Sequence, residues 1–232
     1  MVVERTAVMK YCLIFLLLVM TGTAIAGPIH DARTGLIPEG TVLNVDNAVV
    51  TKVMSNSFCV SEQPVGQWNA IWVWVGELPT VQEGDIVSIR ALYSEHDGRS
   101  MLSMSYPADA EIAVTGYMDV PLLYVNGMEL MQEPEGYESC WINLTDGLIV
   151  SEIRPDGYWV VQSYEFPMFS FVMYDYFQLF PDVQTAECYN NADALFFWYG
   201  DEWVLKTYDV DHVNCAVENN HVSFGSIKAV WR

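Results

Sequence analysis

Two stretches of the sequence, GRSMLSMSYPAD at residues 98–109 and GDEWVLKTYDVD at residues 200–211, follow the same order of residue types. Each begins with a glycine, continues as a short apolar alternation, and then carries a tyrosine and an aspartate at the same offsets. This alignment places Gly98 opposite Gly200, 102 residues later. One match of this kind is weak evidence, so the segments around each stretch decide whether it marks an internal duplication.

The first half of the chain alternates short apolar segments with turn residues, which is typical of β-strands and hairpins. Between these segments no window shows the 3.6-residue period of an amphipathic helix. Asp97-Gly98 is a strong hairpin dipeptide because two-residue hairpin turns need residues that tolerate positive φ. The five predicted strands are residues 41–54 (TVLNVDNAVVTKVM), 57–61 (SFCVS), 70–75 (AIWVWV), 85–94 (DIVSIRALYS) and 100–105 (SMLSMS).

The second half repeats this order of segments. Its predicted strands are residues 139–151, 158–163, 168–174, 187–198 and 202–207. Collinearity of all five strands favours an internal duplication over chance similarity between two β-rich stretches. Five short antiparallel strands with a long first strand are typical of the small closed barrel called the OB-fold. The sequence therefore predicts an all-β protein of two tandem five-stranded OB-like barrels.

Four motifs in the first half resemble a known group of modules. They are NSFCV at residues 56–60, IWVWV at 71–75, EGDIV at 83–87 and YSEHDGRSML at 93–102. These motifs resemble the signature of OB-like modules in secreted bacterial proteins, which occur beside extracellular nucleases and other hydrolases. The resemblance covers residues 38–113, whereas the second half carries it only in GYWVV and GDEWVL. It implies an extracytoplasmic accessory or binding module and brings no catalytic residues with it.

The first 26 residues have the pattern of a secretory signal peptide. Arg5 and Lys10 precede an apolar run, and the tripeptide Ala-Ile-Ala at 24–26 has the small residues that signal peptidase accepts. We expect cleavage before Gly27, the alternative being a retained N-terminal anchor. The predicted location is extracytoplasmic, secreted or periplasmic in a bacterium, with no membrane insertion after cleavage. The predicted segments are a signal peptide at 1–26, barrels at 27–113 and 135–215, a packed apolar linker at 114–134, and a C-terminal strand or tail at 216–232.

The charge balance argues against nucleic acid as a partner. The chain has 10 basic and 30 acidic residues, a net charge of −20 at pH 7. Binding to nucleic acid depends on lysines and arginines that neutralise phosphates. After the predicted cleavage, eight scattered basic residues remain and do not form such a surface, so no nucleic-acid binding is expected.

Four cysteines remain after the predicted cleavage: Cys59, Cys140, Cys188 and Cys215. Export to an oxidising compartment favours disulfides, and four cysteines allow three pairings. We take Cys140 with Cys188 as the candidate pair, while buried free thiols remain an alternative. No cysteines form a CxxC pair, so the sequence supports neither a zinc site nor a redox motif.

The tryptophans are the leading candidates for ligand contact. Residues on a strand alternate between faces, so if Ile71 and Val73 point inward, Trp72 and Trp74 point outward. In an OB-fold that outer face and the adjoining loops bind oligonucleotides or oligosaccharides. The candidate ligand-binding residues are Trp68, Trp72, Trp74, His96 and Arg99. The alternative is that the tryptophans fill the contact between the two barrels.

No catalytic or metal-binding set stands out. The carboxylates of Asp209 and Asp211, or of Asp109 and Glu111, suit a structural calcium ion only if further oxygens converge on them. His96 next to Asp97 lacks a recognisable nucleophile. We therefore predict a non-catalytic binding or assembly module without a cofactor, which recognises carbohydrate or an extracellular protein. The alternative is an accessory domain of an extracellular hydrolase, or a degenerate hydrolase that uses the His96 loop.

Overall fold

The structure is a computed structural model that describes residues 26–176, 178–180 and 182–213. It is 51% strand and 9% helix, which confirms the predicted all-β class. Almost all of the predicted signal peptide, together with the predicted C-terminal strand at 216–232, lies outside the described residues. Within the described residues the strands form two sheets, one for each half of the chain.

The first half forms a closed barrel preceded by a short helix. Its elements are α1 (Pro28–Arg33), β1 (Val42–Val53), β2 (Ser57–Ser61), β3 (Ala70–Trp74), β4 (Asp85–His96), β5 (Arg99–Ser103) and β6 (Glu111–Tyr117). The strands pair in the order β1-β2-β3-β5-β4, and β4 returns to β1, so the ring has no free edge. β3 and β5 run parallel and the other neighbours in the ring antiparallel. β6 pairs with β4 outside the ring.

The second half follows the same pairing order. Its elements are β7 (Leu123–Val125), α2 (Gly127–Gln132), a 3₁₀ helix (Pro134–Tyr137), β8 (Trp141–Leu144), β9 (Leu148–Ile153), β10 (Tyr158–Ser163), β11 (Ser170–Tyr174), β12 (Cys188–Tyr199) and β13 (Glu202–Val213). The long first strand predicted here is broken into β8 and β9. The pairings β9-β10-β11-β13-β12 return from β12 to β9. The structure thus confirms the all-β two-barrel prediction.

The predicted linker at 114–134 is not a separate segment. Its first residues belong to β6, which pairs with β4 of the first barrel. β7 instead runs parallel to β8 of the second barrel. The capping box that Asn126 forms with Glu129 starts α2, and Leu130 of this helix is buried in the second core. The connection is therefore shared between the two barrels.

Each barrel has its own core, and each core includes a short helix that precedes the first strand of its ring. Ile29 and Ala32 of α1 lie in the first core with Ile71 and Val73 of β3. Leu130 of α2 has the same role in the second core. The sequence pattern missed both helices because each has only six residues, too short to show a helical period.

The alignment of Gly98 with Gly200 is shifted by one residue relative to the strands. β4 and β5 are joined by Asp97-Gly98, whereas β12 and β13 are joined by Gly200-Asp201, so the glycine takes opposite places in the two turns. A shift of one residue along a strand exchanges its two faces. Leu102 of the first core therefore corresponds to Leu205 of the second, and each pairs with a core residue of the neighbouring parallel strand.

Candidate functional site

The face that carries Trp72 packs against the second barrel. A third buried cluster lies there and draws on both barrels: Met54, Cys59 and Trp72 from the first, and Trp141, Leu195 and Phe197 from the second. The predicted alternation is correct, because Ile71 and Val73 enter the first core while Trp72 faces out of it. The Trp72 side chain is only 8% exposed. Trp72 therefore packs between the barrels and does not line an open groove.

Trp74 and Trp68 also lie close to the contact between the barrels. Trp74 is half-buried, meets the Trp72 ring edge-on at 5.5 Å, and packs against the third cluster. The Trp68 backbone N–H donates to the carbonyl of Gly136, 2.6 Å away, which joins a loop of the first barrel to the start of the second. A side chain at position 136 would meet the Trp68 indole at about 3.1 Å. The three candidate tryptophans therefore stabilise barrel docking.

Arg33 and Glu138 form a buried polar link between the barrels. Their side chains are 1% and 3% exposed, and one guanidinium nitrogen lies 3.5 Å from Glu138 Oε2. The Arg33 guanidinium also donates to the carbonyls of Ala70 in the first barrel and of Glu135 and Glu138 in the second. The backbone N–H of Ser100 donates to the same Glu138 carboxylate at 3.3 Å. One arginine thus satisfies buried acceptors on both barrels at once.

The protonation of Glu138 responds to pH near neutrality. Burial raises the pKa of Glu138 to about 7, and it outweighs the Arg33 charge and the Ser100 N–H, which lower it. Glu95 raises this pKa further, and Arg99 lowers it. Among the described residues, Glu138 Oε1 has no hydrogen-bond partner.

We expect the Glu138→Gln variant to have a different pH dependence of stability. The folded-state pKa of Glu138 exceeds its value in an unfolded chain, about 4.3. Its contribution to stability is therefore fully present below the unfolded pKa and is lost as the pH rises to about 7. Glutamine does not ionise, so between pH 5 and pH 8 the variant gains about 2 kcal/mol of unfolding free energy relative to the parent. Urea unfolding of both proteins at the two pH values measures this gain, and identical pH dependence would contradict it.

Positive charge concentrates between the barrels. Lys52 Nζ lies 3.6 Å from the Tyr208 ring centre and 2.8 Å from Glu83 Oε2. Lys206 Nζ lies 4.3 Å from the Phe197 ring centre. Of the six basic residues in the described ranges, four lie at this contact: Arg33, Lys52, Arg99 and Lys206. Cation–π contacts of this kind each contribute about 0.5–2 kcal/mol.

An open cleft lies where the β4–β5 hairpin of the first barrel meets the β12–β13 hairpin of the second. We call it the hairpin cleft; its volume is about 630 Å³, and it is lined by Asp97, Gly98, Arg99, Trp198, Tyr199, Gly200 and Asp201. In both turns the two central residues have positive φ, as in type I′ hairpins. Such turns follow the twist of the strands and hold their side chains at the tip of each hairpin.

The second barrel supplies the aromatic wall of the hairpin cleft. Tyr199 is 50% exposed at the end of β12. Trp198, next to it, meets Trp203 edge-on at 5.2 Å. Trp203 in turn stacks on Phe196 of the second core at 4.9 Å. Trp198 is therefore fixed by its contact with Trp203, which packs on the second core, while Tyr199 is half exposed to solvent.

The first barrel supplies the polar wall. The Arg99 guanidinium lies 4.7 Å from the Trp72 ring centre and 4.0 Å from the Asp97 carboxylate. Arg99 is 13% exposed, and its Nε has no partner in the described part of the chain. Asp97 is 76% exposed and lies 3.4 Å from His96 Nε2. Arg99 is thus fixed in the cleft wall by Trp72, and Asp97 remains accessible.

The structure brings together only some of the candidate ligand-binding residues. Arg99 lines the hairpin cleft, and His96 lies beside it through its contact with Asp97. Trp68, Trp72 and Trp74 are used in packing. Trp198 and Tyr199 were missed as cleft residues, although their aromatic pair before a Gly-Asp turn was visible in the sequence. No local pattern shows that the two hairpin tips meet.

The predicted Cys140–Cys188 disulfide is wrong. Cys140 is a buried free thiol, as is Cys59. Cys188 is disulfide-bonded, but to neither of these two residues. Burial raises the pKa of Cys140 to about 12, so this thiol stays protonated at neutral pH. Cys215 lies outside the described residues.

The calcium hypothesis gains no support. Asp109 is paired with Arg90 at 2.9 Å, and Asp211 accepts a hydrogen bond from the Asn190 amide. Within the described ranges, no group of three or more histidine, cysteine, aspartate or glutamate side chains is arranged to hold a metal ion.

Comparison with known proteins finds no family model and no curated protein that matches this sequence. In the part of the chain that the structure describes, no helix is long and apolar enough to cross a bilayer. Function is therefore inferred from the geometry of the described residues.

Proposed function

We propose that the protein is an extracytoplasmic, non-catalytic module that binds carbohydrate in the hairpin cleft. The observation that carries this proposal is the pairing of an aromatic wall with a polar wall across one open cleft. Its volume lies within the range of about 300–1,000 Å³ found for ligand sites. OB-folds bind oligosaccharides with their loops, and the cleft is formed by the loops between the fourth and fifth strands.

The chemistry of the two walls suits a neutral sugar. The Tyr199 ring offers a flat apolar surface for the C–H face of a pyranose, and its hydroxyl both donates and accepts hydrogen bonds. The Asp97 and Asp201 carboxylates accept hydrogen bonds from sugar hydroxyls, while Arg99 donates. The net charge of −20 disfavours an anionic glycan, so we expect neutral or amine-bearing sugars.

We expect the Tyr199→Ala variant to bind its glycan at least tenfold more weakly, because a central aromatic anchor contributes more than about 1.4 kcal/mol. A glycan array probed with residues 27–232 identifies the ligand, and calorimetry on parent and variant then measures the loss. Tyr124→Ala is the matched control, since this tyrosine is 68% exposed and lies on β7, outside the cleft.

Two further variants test the carboxylates that line the cleft, one from each barrel. Asp97→Asn and Asp201→Asn remove charge while keeping a residue that tolerates positive φ. Each is expected to weaken binding severalfold. An array with no bound glycan, or equal affinities for the parent and Tyr199→Ala, would refute the proposal. Cleavage of the bound glycan would favour a hydrolase instead.

A further inference from the structure

The Glu62 carboxylate is buried at the start of α1. Glu62 follows β2 of the first barrel and is 6% exposed. Its two carboxylate oxygens accept hydrogen bonds from the backbone N–H groups of Ile29, at 3.1 Å, and His30, at 3.3 Å. The barrel therefore holds a carboxylate against the first turn of α1.

Gly27 lies directly against this carboxylate. A Cβ atom built on Gly27 would be 2.3 Å from Glu62 Cδ and from both of its carboxylate oxygens. The φ angle of Gly27 is −83°, which any residue adopts, so the backbone conformation does not require glycine here. The carboxylate itself occupies the place of a side chain. Standard bond lengths then put the Gly27 nitrogen within about 5 Å of the carboxylate.

The carboxylate lacks a strong positive partner. Among the described residues, no lysine or arginine forms an ion pair with Glu62. Burial raises the pKa of Glu62, and the N–H groups of Ile29 and His30 lower it. Of the charged groups nearby, Asp31 raises this pKa and His30 lowers it. A cation at this point would be stabilised by a desolvated carboxylate that has only N–H donors around it.

We propose that Gly27 is the mature N-terminus and that its α-ammonium group is the counterion of Glu62. The assignment rests on the export part of the proposed function and on the small-residue pattern at 24–26. A signal peptidase hydrolyses the Ala26–Gly27 amide with one water molecule. The C–N bond breaks, Ala26 leaves as a carboxylate, and the Gly27 nitrogen becomes an ammonium with three N–H donors.

The ion pair between Gly27 and Glu62 couples signal-peptide cleavage to the packing of the first barrel. While the bond is intact, the nitrogen at position 27 is a neutral, planar amide with one N–H. After hydrolysis the ammonium is free of the peptide plane and turns toward the carboxylate. The ion pair then anchors the segment whose Ile29 and Ala32 fill the first core. Glycine at position 27 thus serves two needs: a small residue after the cleavage site, and space for Glu62.

The first measurement is the mass of the full chain after export from a bacterial host. We expect an intact mass that begins at Gly27. A mature protein that begins at any other residue would overturn the assignment. Carbohydrate binding is measured separately, at the hairpin cleft, so its failure leaves this result unchanged.

The second measurement is the pKa of the α-amino group. Residues 27–232 are released from a scarless fusion, and the acetylation rate of the Gly27 amine is followed against pH by mass spectrometry. An ordinary α-amino group has a pKa of about 8. The ion pair is expected to raise this pKa by one unit or more, which slows acetylation about fivefold or more at pH 8.

Two altered proteins and one control complete the test. Glu62→Gln is expected to return the amine to its ordinary pKa. A chain that begins at Ala26 keeps Glu62 but displaces the ammonium by one residue, so its amine is also expected to have the ordinary pKa. This chain provides the test if Glu62→Gln does not fold. Glu77→Gln, an exposed site on a distant loop, is expected to change nothing. Equal amine pKa values in the parent and in the chain that begins at Ala26 would refute the ion pair.

Discussion

Replacement of Arg33 by alanine is expected to lower the free energy of unfolding by about 3–5 kcal/mol, the cost of breaking a buried ion pair by removing one partner. The guanidinium donates to Ala70 in the first barrel and to Glu135 and Glu138 in the second. Its loss removes these hydrogen bonds and leaves Glu138 without its counterion. Urea unfolding, followed by tryptophan fluorescence at pH 7.5, measures the change.

Two comparisons sharpen this result. Arg33→Lys keeps the charge but presents a compact ammonium in place of the planar fork, so most of the loss is expected to remain. Arg90→Ala removes an exposed arginine that pairs with Asp109, and we expect a change below about 1 kcal/mol. If Arg33→Ala unfolds like Arg90→Ala, the buried link does not hold the barrels together.

Trp72→Ala is expected to destabilise the protein by about 3–5 kcal/mol, as is usual when a large core aromatic is truncated. The indole is buried in the third cluster between Cys59 and the Arg99 guanidinium. Its removal opens a cavity at the contact between the barrels. Calorimetry is also expected to show two separate transitions in place of one, because the cores of the two barrels are distinct.

An exposed apolar residue provides the control for this variant. Leu78 is 75% exposed in a loop, so Leu78→Ala is expected to change stability by less than about 0.5 kcal/mol. A Trp72→Ala protein that keeps the stability of the parent would show that Trp72 does not contribute to docking.

The fold class was predictable because its signals are local. Strand alternation, the Asp97-Gly98 turn and the order of five segments are each readable from neighbouring residues, and they identified the barrels and the inward position of Ile71. The helices α1 and α2 were not predicted because a helix of six residues is too short to show the 3.6-residue hydrophobic period. The break between β8 and β9 was missed although it contains Asp146-Gly147, a turn dipeptide of the same kind as Asp97-Gly98.

The candidate site was predictable only in part, because it depends on how two barrels dock. Arg99 was identified from its loop, and it does line the cleft. Trp72 has the residue type expected of a ligand platform, but the same exposed aromatic surface also favours burial against another barrel. Tyr199 becomes a site residue only through its distance from the other hairpin, which sequence spacing does not encode.

One wall of the hairpin cleft belongs to each barrel, so the width of the cleft is set by the angle at which the barrels dock. Neither half of the chain contains a complete site. For the proposed sugar site, a substitution at the contact between the barrels, such as one at Gly136, is therefore expected to change which sugars fit by tilting one wall against the other. We therefore expect the selectivity of the proposed site to change without any substitution among the residues that line the cleft.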